Sequence, residues 1–597
     1  MKNPVPLLAV QSGDPLQEIQ RQIMWNRLLA VVEEQSQTLV RTGFSTSTRE
    51  AGDVSAGVFD LNGRMLAQAV TGTPGHVNSM ALSVHHFLRK FPRATMREGD
   101  VYATNDPWLA TGHLNDFTVV TPTFRRGELV ALFASTCHVV DIGGNGVPTD
   151  GRDVYQEGLN IPIMRLAEGG RMKEDILDIV RANVREPVQV VGDLYSLAAC
   201  NDTGSARLVE MMDEFRLAGL DELGETIVAR SRAGMLAEIR KLRPGVYRNA
   251  MRIDGFEQPL DLVATMTIGA SGIDVDMTGT SGISGYGINV PHAYCKAYAS
   301  FGIKCIVAPQ VPNNTGSLET LRVTAPEHSV LNALPPAAVA ARHVVGQMLP
   351  DVMFGCLEQA LDGGVPAEGT SCLWNLSLFG GSGRVDGDPV ALAKATAFNV
   401  ISFNTGGTGA RPSKDGLSAT AFPSGVRNVP IEITEMISPV VFWRKEYRQD
   451  SGGAGRQRGG LGQVMEIGIG ENVPFAVGAM FDRVEHAPRG RAGGKSGALG
   501  IVRLGSGKLL RAKGRQTIPA GDRLVLEMPG GGGHGDPFAR PAPLVADDVR
   551  NGFVSAERAR TDYGVEIGPD GEPAPAATAR LRARPKPGAG GPGGAAE

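Results

Sequence analysis

Two strings carry the side chains best suited to chemistry, NDPWLATGHLND at 105–116 and STCHVVDIGG at 135–144. His113 and Asp116 stand three apart where a loop gives way to a run of apolar residues, and His138 closes the next such run. If the runs within 117–139 pair as strands around Arg125 to Glu128, one turn and one strand end aim two imidazoles and a carboxylate at one point. That donor set suits Zn, Mn or Fe(II) and leaves positions open for water or substrate. Asp106 and Asp141 flank it as extra ligands or as acceptors for a ring N–H. The spacing equally accommodates a His113 that caps a turn and a His138 satisfied in a core, since neither H-E-x-x-H nor C-x-x-C occurs. His76 follows a Thr-Pro-Gly turn and precedes a helix, where an imidazole either faces a cleft or caps the helix.

Other polar candidates carry less. His85 and His86 lie within a helical run, and His292 follows a proline at a helix start, where it could meet a site between domains. His328, His343 and His486 have no partner that the sequence names. The strings FNTGGTGARPSKDG and YRQDSGGAGRQRGG place Arg411, Lys414, Arg456 and Arg458 among glycines, as anion-binding nests or as plain sharp turns. His534 in MPGGGGHGDP is open to the same two readings. No phosphate-loop string and no G-x-G-x-x-G behind a strand are found, so a self-contained nucleotide site is not expected. Glu432 and Glu435 read as the polar positions of a strand.

The elements that must position these groups follow from periodicity. Residues 16–42 put Ile19, Ile23, Leu28, Val31, Val32 and Leu39 near one stripe, which predicts an amphipathic helix. A hairpin is expected at 54–68 around Asn62-Gly63, then a helix over 78–91. Helices are expected through 171–242, strands over 245–290, helices again at 291–307 and 335–361, and short strands from about 463 to 527. The fold class is mixed α/β (α+β) and multidomain, with a helical and hairpin N-terminal part, a β-rich, glycine-rich C-terminal part and a disordered tail. We place a metal-site domain at 1–243, a middle α/β domain at 244–400, a Gly-rich β domain at 401–545, and a C-terminal helix with the tail at 546–597. From 570 onward almost no large apolar side chain is left to offset the ordering entropy.

Composition bounds the partners. Fifty-nine basic against 63 acidic residues leave a charge of −4, which calls for neither nucleic acid nor an anionic membrane. Six scattered cysteines with no C-x-x-C argue against a disulfide framework and fit a reducing cytosol. The start MKNPVPLLAV is too poor in apolar length for a secretory signal, and no apolar run could span a bilayer, so a cytoplasmic location is expected.

Taken in order, NRLLAVVEEQSQTLVRTGFSTSTRE, FDLNGRMLAQ, NDPWLATGHLND, CHVVDIGG, PNNTGSLETLRV, GGTGARPSKDG, IEITEMISP, DSGGAGRQRGGLG and GGGGHGDP resemble the B-subunit family of ATP-dependent N-methylhydantoinase and 5-oxoprolinase. The family is also similar to the metal-bearing subunits of acetone carboxylase. The resemblance implies a mixed α/β subunit acting in a hetero-oligomer with an ATP-binding A-type subunit, which uses ATP and Mg to phosphorylate a lactam or urea-like oxygen. It implies metal ligands at His113, Asp116 and His138, and around them we place His76, Asp106 and Asp141 as the catalytic residues. Phosphorylation makes the oxygen of a poorly electrophilic ring amide a leaving group, and a divalent metal would supply the attacking water and hold the developing oxyanion. The chain departs from the family where Asn115 replaces a common proline, Val139 a second histidine and Thr408 a tryptophan, and in the string around His76. The function implied is cyclic-amide hydrolysis of a hydantoin, 5-oxoproline or related lactam. The alternatives are a ketone carboxylase subunit using the same ligands, and a non-catalytic scaffold.

Overall fold

The computed structural model describes residues 15–70, 73–145 and 149–583. The opening stretch read for a signal lies outside these residues. The chain is a mixed α+β fold built on four sheets.

Helix α1 (Pro15–Thr42) buries Met24, Trp25, Leu28, Val31, Val32 and Leu39 at three- and four-residue spacing. Ile19 and Ile23 are half exposed, because the stripe meets a packing partner only from Met24 onward. The predicted hairpin forms from β1 (Val54–Phe59) and β2 (Met65–Gln68). Its turn is organised by Asp60, whose carboxylate accepts from the backbone N–H of Asn62 (2.9 Å) and Arg64 (2.8 Å), with only Gly63 at positive φ. Helix α2 (Pro74–Lys90) begins four residues earlier than its apolar pattern does, because Pro74 suits a first helical turn. Strands β3 (Val101–Thr104), β4 (Asp116–Arg125), β5 (Glu128–His138), β6 (Met164–Glu168) and β7 (Arg171–Met172) complete a seven-stranded antiparallel sheet ordered β2-β1-β5-β4-β3-β6-β7. Within it Asp116 and His138 face one another as register partners.

Helices α3 (Glu174–Asn183), α4 (Pro187–Glu214) and α5 (Asp221–Ile239) fill the expected helical stretch. Strands β8 (Gly245–Ile253), β9 (Leu260–Gly269) and β10 (Gly272–Asp276) are followed by α6 (His292–Val307), and β11 (Leu321–Thr324) joins them in a sheet ordered β11-β10-β9-β8. After α7 (Leu349–Leu361) come β12 (Leu376–Gly380), β13 (Phe398–Ser402), α8 (Ile431–Ile437), β14 (Val440–Tyr447), β15 (Gln463–Ile469), β16 (Phe475–Met480), β17 (Ile501–Leu504), β18 (Lys513–Ile518) and β19 (Leu524–Glu527). They make two four-stranded sheets, β13-β12-β16-β18 and β14-β15-β19-β17. One buried apolar cluster runs from Met235 through Phe354 and Trp374 to Met528, so the sheets on either side of residue 400 share a core. Glu432 and Glu435 lie on the short helix α8 rather than a strand. There Pro430 occupies the N-cap and the Glu435 carboxylate accepts from Phe442 N–H at 2.8 Å.

The tail differs from expectation up to residue 583. A helix, α9 (Pro575–Arg582), docks through polar contacts: Thr578 Oγ1 accepts from Glu566 N–H, and Arg582 donates to the carbonyls of Tyr563 and Arg540. Apolar content alone is blind to such anchors. The remaining tail residues fall outside the described part.

Gly204 lets α4 lie against β5, since a Cβ there would sit 2.6 Å from the buried Phe133 ring. Alanine gains about 1 kcal/mol of helix propensity, while forcing a rigid ring aside costs roughly 1–3 kcal/mol. Gly204→Ala is therefore expected to lose about 1 kcal/mol net and at most about 2 kcal/mol, read as a lower midpoint in urea unfolding followed by circular dichroism.

Candidate metal centre

The centre is organised around Asp116, the first residue of β4, which has no exposure. Its Oδ1 lies 2.8 Å from His113 Nε2 and 3.1 Å from His138 Nδ1. Its Oδ2 accepts from Thr111 Oγ1 (2.7 Å) and Arg342 Nη2 (2.5 Å), with His76 Nε2 at 3.0 Å. The β4–β5 register brings His138 across from Asp116, the turn before β4 brings His113, and the first turn of α2 brings His76. His76 Nδ1 in turn lies 3.6 Å from Asp53 Oδ1, which Thr73 Oγ1 also holds at 2.6 Å.

The hydrogen-bond partners assign the ring protons. His113 Nδ1 lies 2.9 Å from the Ala340 carbonyl, which only accepts, so the proton sits on Nδ1 and Nε2 bears a lone pair. That Nε2 lies 2.8 Å from Asp116 Oδ1 but at an angle that makes no hydrogen bond, so its lone pair is left without a donor. A cation held beside the two atoms would accept from both. His138 donates from Nδ1 to Asp116, which leaves its buried Nε2 without a partner. The ligating atoms of His113, Asp116 and His138 can all lie within 4.8 Å of one another, and imidazole with carboxylate suits a divalent first-row metal.

The electrostatics fit the same use. Burial drives Asp116 up, but His113, His76 and Arg342 outweigh it and hold the carboxyl well below its usual range. Burial, then the neighbouring Arg342 charge, pushes His113 down to about 4, so its ring is neutral and able to ligate at physiological pH. Burial works against protonation of His76 too, yet the Asp116 and Asp53 charges raise it. Burial and Arg342 push His343 well below its ordinary value. His76, His113, His138 and Arg342 line a cleft of about 370 Å³.

The structure thus brings together His76, His113, Asp116 and His138. Asp106 and Asp141 stand apart from the cluster. The Asp106 carboxylate accepts from Trp108 N–H (2.9 Å) in the turn leading to His113. Asp141 pairs with Arg185 at 2.7 Å. Neither lines the cleft. His343, for which the sequence names no partner, lies on the cleft wall 3.5 Å from Asn375, and His486 contacts Asp254 at 3.0 Å. His292 is absent from the cleft lining. Arg342 is the principal residue missed. It stacks 4.2 Å over Tyr294, and Gly112 makes room for it, since a Cβ there would lie 2.7 Å from its side chain. Its only sequence signal is an arginine beside a histidine in an apolar stretch. Of the two readings of the glycine-rich strings, plain turns fit these arginines better: buried Arg458 pairs with Asp548, and Arg411 donates to the Asp415 carbonyl.

Fold and site together define a large α+β protein built around a buried His–Asp–His cluster that could hold a metal ion and that opens onto a cleft. The chain belongs to the hydantoinase B/oxoprolinase family, whose model matches residues 17–537. It is 29% identical to caprolactamase subunit beta of Pseudomonas jessenii, over 90% of this chain and 94% of that one. The crystal structure of the ATP-dependent caprolactamase from Pseudomonas jessenii superposes with TM-score 0.83 at 26% identity, covering 96% of this chain and all of that one. A nucleotide-free structure of acetone carboxylase shares the fold, with TM-score 0.83 at 20% identity over 95% of this chain and 82% of the other.

The Ala340 carbonyl that orients His113 is itself held by Glu157, whose Oε1 accepts from Val339 N–H (2.7 Å) and Ala340 N–H (2.8 Å). Burial pushes the Glu157 carboxyl up to about 8, with the two backbone donors opposing. Below the unfolded value near 4.5 both states hold the proton; between there and about 8 only the folded state does, so stability falls as pH rises through that window. Glu157→Gln keeps an acceptor without the titration. Urea unfolding at pH 5 and 8.5 is expected to show this decline, up to about 4–5 kcal/mol, largely abolished in the variant.

Proposed function

We propose that the chain is the metal-bearing B subunit of an ATP-dependent cyclic-amide hydrolase, opening a hydantoin, 5-oxoproline or related lactam in the cytoplasm. In this reading ATP is consumed on an A-type partner subunit within a hetero-oligomer. The observation that carries it is the two buried imidazole nitrogens without a hydrogen-bond partner, His113 Nε2 and His138 Nε2, beside the Asp116 carboxylate at a cleft. Family membership and the ATP dependence of the caprolactamase relative support the reaction class. The absence of a phosphate loop from this chain supports placing the nucleotide elsewhere.

His113, Asp116 and His138 would hold a divalent cation, Mn, Zn or Fe. When bound it supplies Lewis acidity for the activated ring carbon and its oxygen. The chain's own groups do the rest. Asp116 stays anionic because His113, His76 and Arg342 surround it, so the donor set retains its charge at neutral pH. His76, raised by Asp116 and Asp53 against its burial, lies on the cleft wall as the proton donor for the ring nitrogen as the C–N bond breaks. Asp106 and Asp141 act at a remove, the first fixing the turn that delivers His113, the second anchoring the chain just past His138. The Val139 side chain is fully buried and apolar where the family's second histidine would stand, so His76 has no neighbouring imidazole at that position.

The test is co-expression with the A-type subunit, followed by assays with ATP, lactams, hydantoins, ketones and 13C-bicarbonate. Ring-opened product without label is expected. Label in a new carboxylate would instead establish the carboxylase. Metal analysis should find about one divalent ion per chain in the wild type, lost in His113→Ala and His138→Ala together with at least ~100-fold of turnover, while the partner still co-purifies. Wild-type turnover without bound metal would sink the assignment of the centre, and a metal-free, inactive complex would favour the scaffold.

A further inference from the structure

A second cavity, about 580 Å³ and partly open to solvent, lies beside the metal cleft. Three arginines line it, Arg185, Arg384 and Arg515, against one carboxylate, Asp141. Arg185 and Asp141 neutralise one another at 2.7 Å. Among the described residues neither the Arg384 nor the Arg515 guanidinium makes an ion pair, although the Arg515 backbone N–H donates to Asp150 Oδ2 at 2.6 Å. Arg384 Nη1 is buried without any hydrogen-bond partner. Arg515 donates to the Arg384 carbonyl and lies 4.6 Å over the Phe379 ring, so backbone and ring bring the second guanidinium to the first. Two guanidiniums on the wall of one cavity without an ion-pair partner, one with an orphaned buried donor, are stabilised by an oxyanion that accepts from both. Ser377 and Asn399 on the same wall supply neutral polar groups.

The placement ties this cavity to the centre. Side chains two apart along a strand share a face. Asn375, just before β12, lines the metal cleft, whereas Ser377 and Phe379 on the same face line the basic cavity. On β13 and its exit, Phe403 faces the cleft and Asn399 the cavity. At the end of β5, His138 belongs to the cleft, and Val140 and Asp141 to the cavity. The two therefore lie end to end along the same strands.

We propose that Arg384 and Arg515 form a phosphate-binding site that holds a phosphate dianion or phosphate monoester next to the metal centre. The phosphoryl group comes either from an activated substrate delivered for ring opening or from inorganic phosphate released afterwards. The first source rests on the function proposed above, whereas phosphate binding itself does not.

The primary test uses the full-length chain alone and inorganic phosphate as the probe, by isothermal titration calorimetry at constant ionic strength. Saturable binding near one site per chain is expected, weakened roughly 10- to 100-fold in Arg384→Gln and in Arg515→Gln, the weight of one or two charge-assisted hydrogen bonds. Arg126→Gln, on an exposed turn between β4 and β5, should bind as wild type. No saturable binding at millimolar phosphate, binding displaced equally by chloride, or affinity indifferent to both substitutions would overturn the proposal. Circular dichroism checks that each variant is folded, and the double lysine variant Arg384→Lys/Arg515→Lys, which keeps the charge, should retain part of the affinity. In the co-expressed complex, ATP hydrolysis uncoupled from product in Arg384→Gln identifies the activated substrate as the source. Relief of phosphate inhibition with coupling intact identifies the released anion.

Discussion

A carboxylate with no solvent contact is the constraint from which the arrangement of this protein follows. Removing an ion such as Asp116 from water costs several kcal/mol even after the protein relaxes. Only opposing charge and a full set of hydrogen bonds offset that cost. Asp116 obtains them from Thr111, Arg342, His76 and His138, and it stays ionised against its burial. The pair Arg342–Asp116 is not thereby a stability device, since two apolar side chains could fill the same volume without desolvating ions. What the charge secures is a donor oxygen of fixed orientation beside the unpartnered Nε2 atoms of His113 and His138. Those partners come from segments distant in the chain, 73–76, 111–116, 138 and 340–342, so the centre exists only once the N-terminal sheet and the following segments have met.

Each partner is in turn held by backbone. Asp193 on α4 accepts from the N–H groups of Phe44 (2.8 Å) and Ser45 (3.2 Å), fixing the short turn that carries Ser47. Ser47 donates to the His138 carbonyl at 2.6 Å, and the His138 N–H donates to Asp53 O at 3.1 Å, so the strand end bearing the ligand is pinned from both sides. Asp53 is also the neighbour that raises His76. On the opposite wall, Glu157 grips Val339 and Ala340, and Ala340 grips His113. Ligand geometry is thus set by main-chain donors and acceptors, which tolerate little displacement, rather than by long side chains that could swing.

The legible part of the fold is the part governed by short-range pattern. The apolar alternation of 117–139 gave both strands and hence the facing of Asp116 and His138, and the three- and four-residue spacing in 16–42 gave α1. His113 and His138 are visible because histidines beside a carboxylate at strand ends are chemically conspicuous. Arg342 and His343 are not, since nothing local marks a residue whose role is to reach Asp116 from more than two hundred positions away. Asp141 illustrates the converse. Its nearness in sequence to His138 suggested the same site, but it lies three positions beyond the strand end, where the chain has turned toward Arg185. The helix α9 escaped a composition argument because its anchors are a threonine hydroxyl and an arginine reaching carbonyls.

The glycine-rich C-terminal strings have a different use from the turns and nests their composition suggests. Gly406, Gly407, Gly459, Gly460, Gly530 and Gly531 are absent from the residues with positive φ, so their conformations are open to any residue. What excludes a side chain is proximity. A Cβ on Gly407 would lie 1.9 Å from Gly460 O, on Gly459 1.9 Å from Gly531 O, and on Gly531 1.9 Å from Thr408 O. Main chain therefore packs directly on main chain, and the hydrogen bonds Gly460 N to Thr408 O and Gly531 N to Gly460 O, each 2.9 Å, stitch the strings into one layer. Thr370 Oγ1 donates into that layer, to Gly407 O and Pro529 O, and Trp374 N–H donates to Asn404 O at 2.8 Å. A Cβ on Gly500 would strike the Trp374 ring at 2.3 Å. Asn375 and Phe403, next in sequence to Trp374 and Asn404, are cleft walls. Glycine content in the C-terminal part is thus a packing condition for the wall of the cleft at His113 and His138.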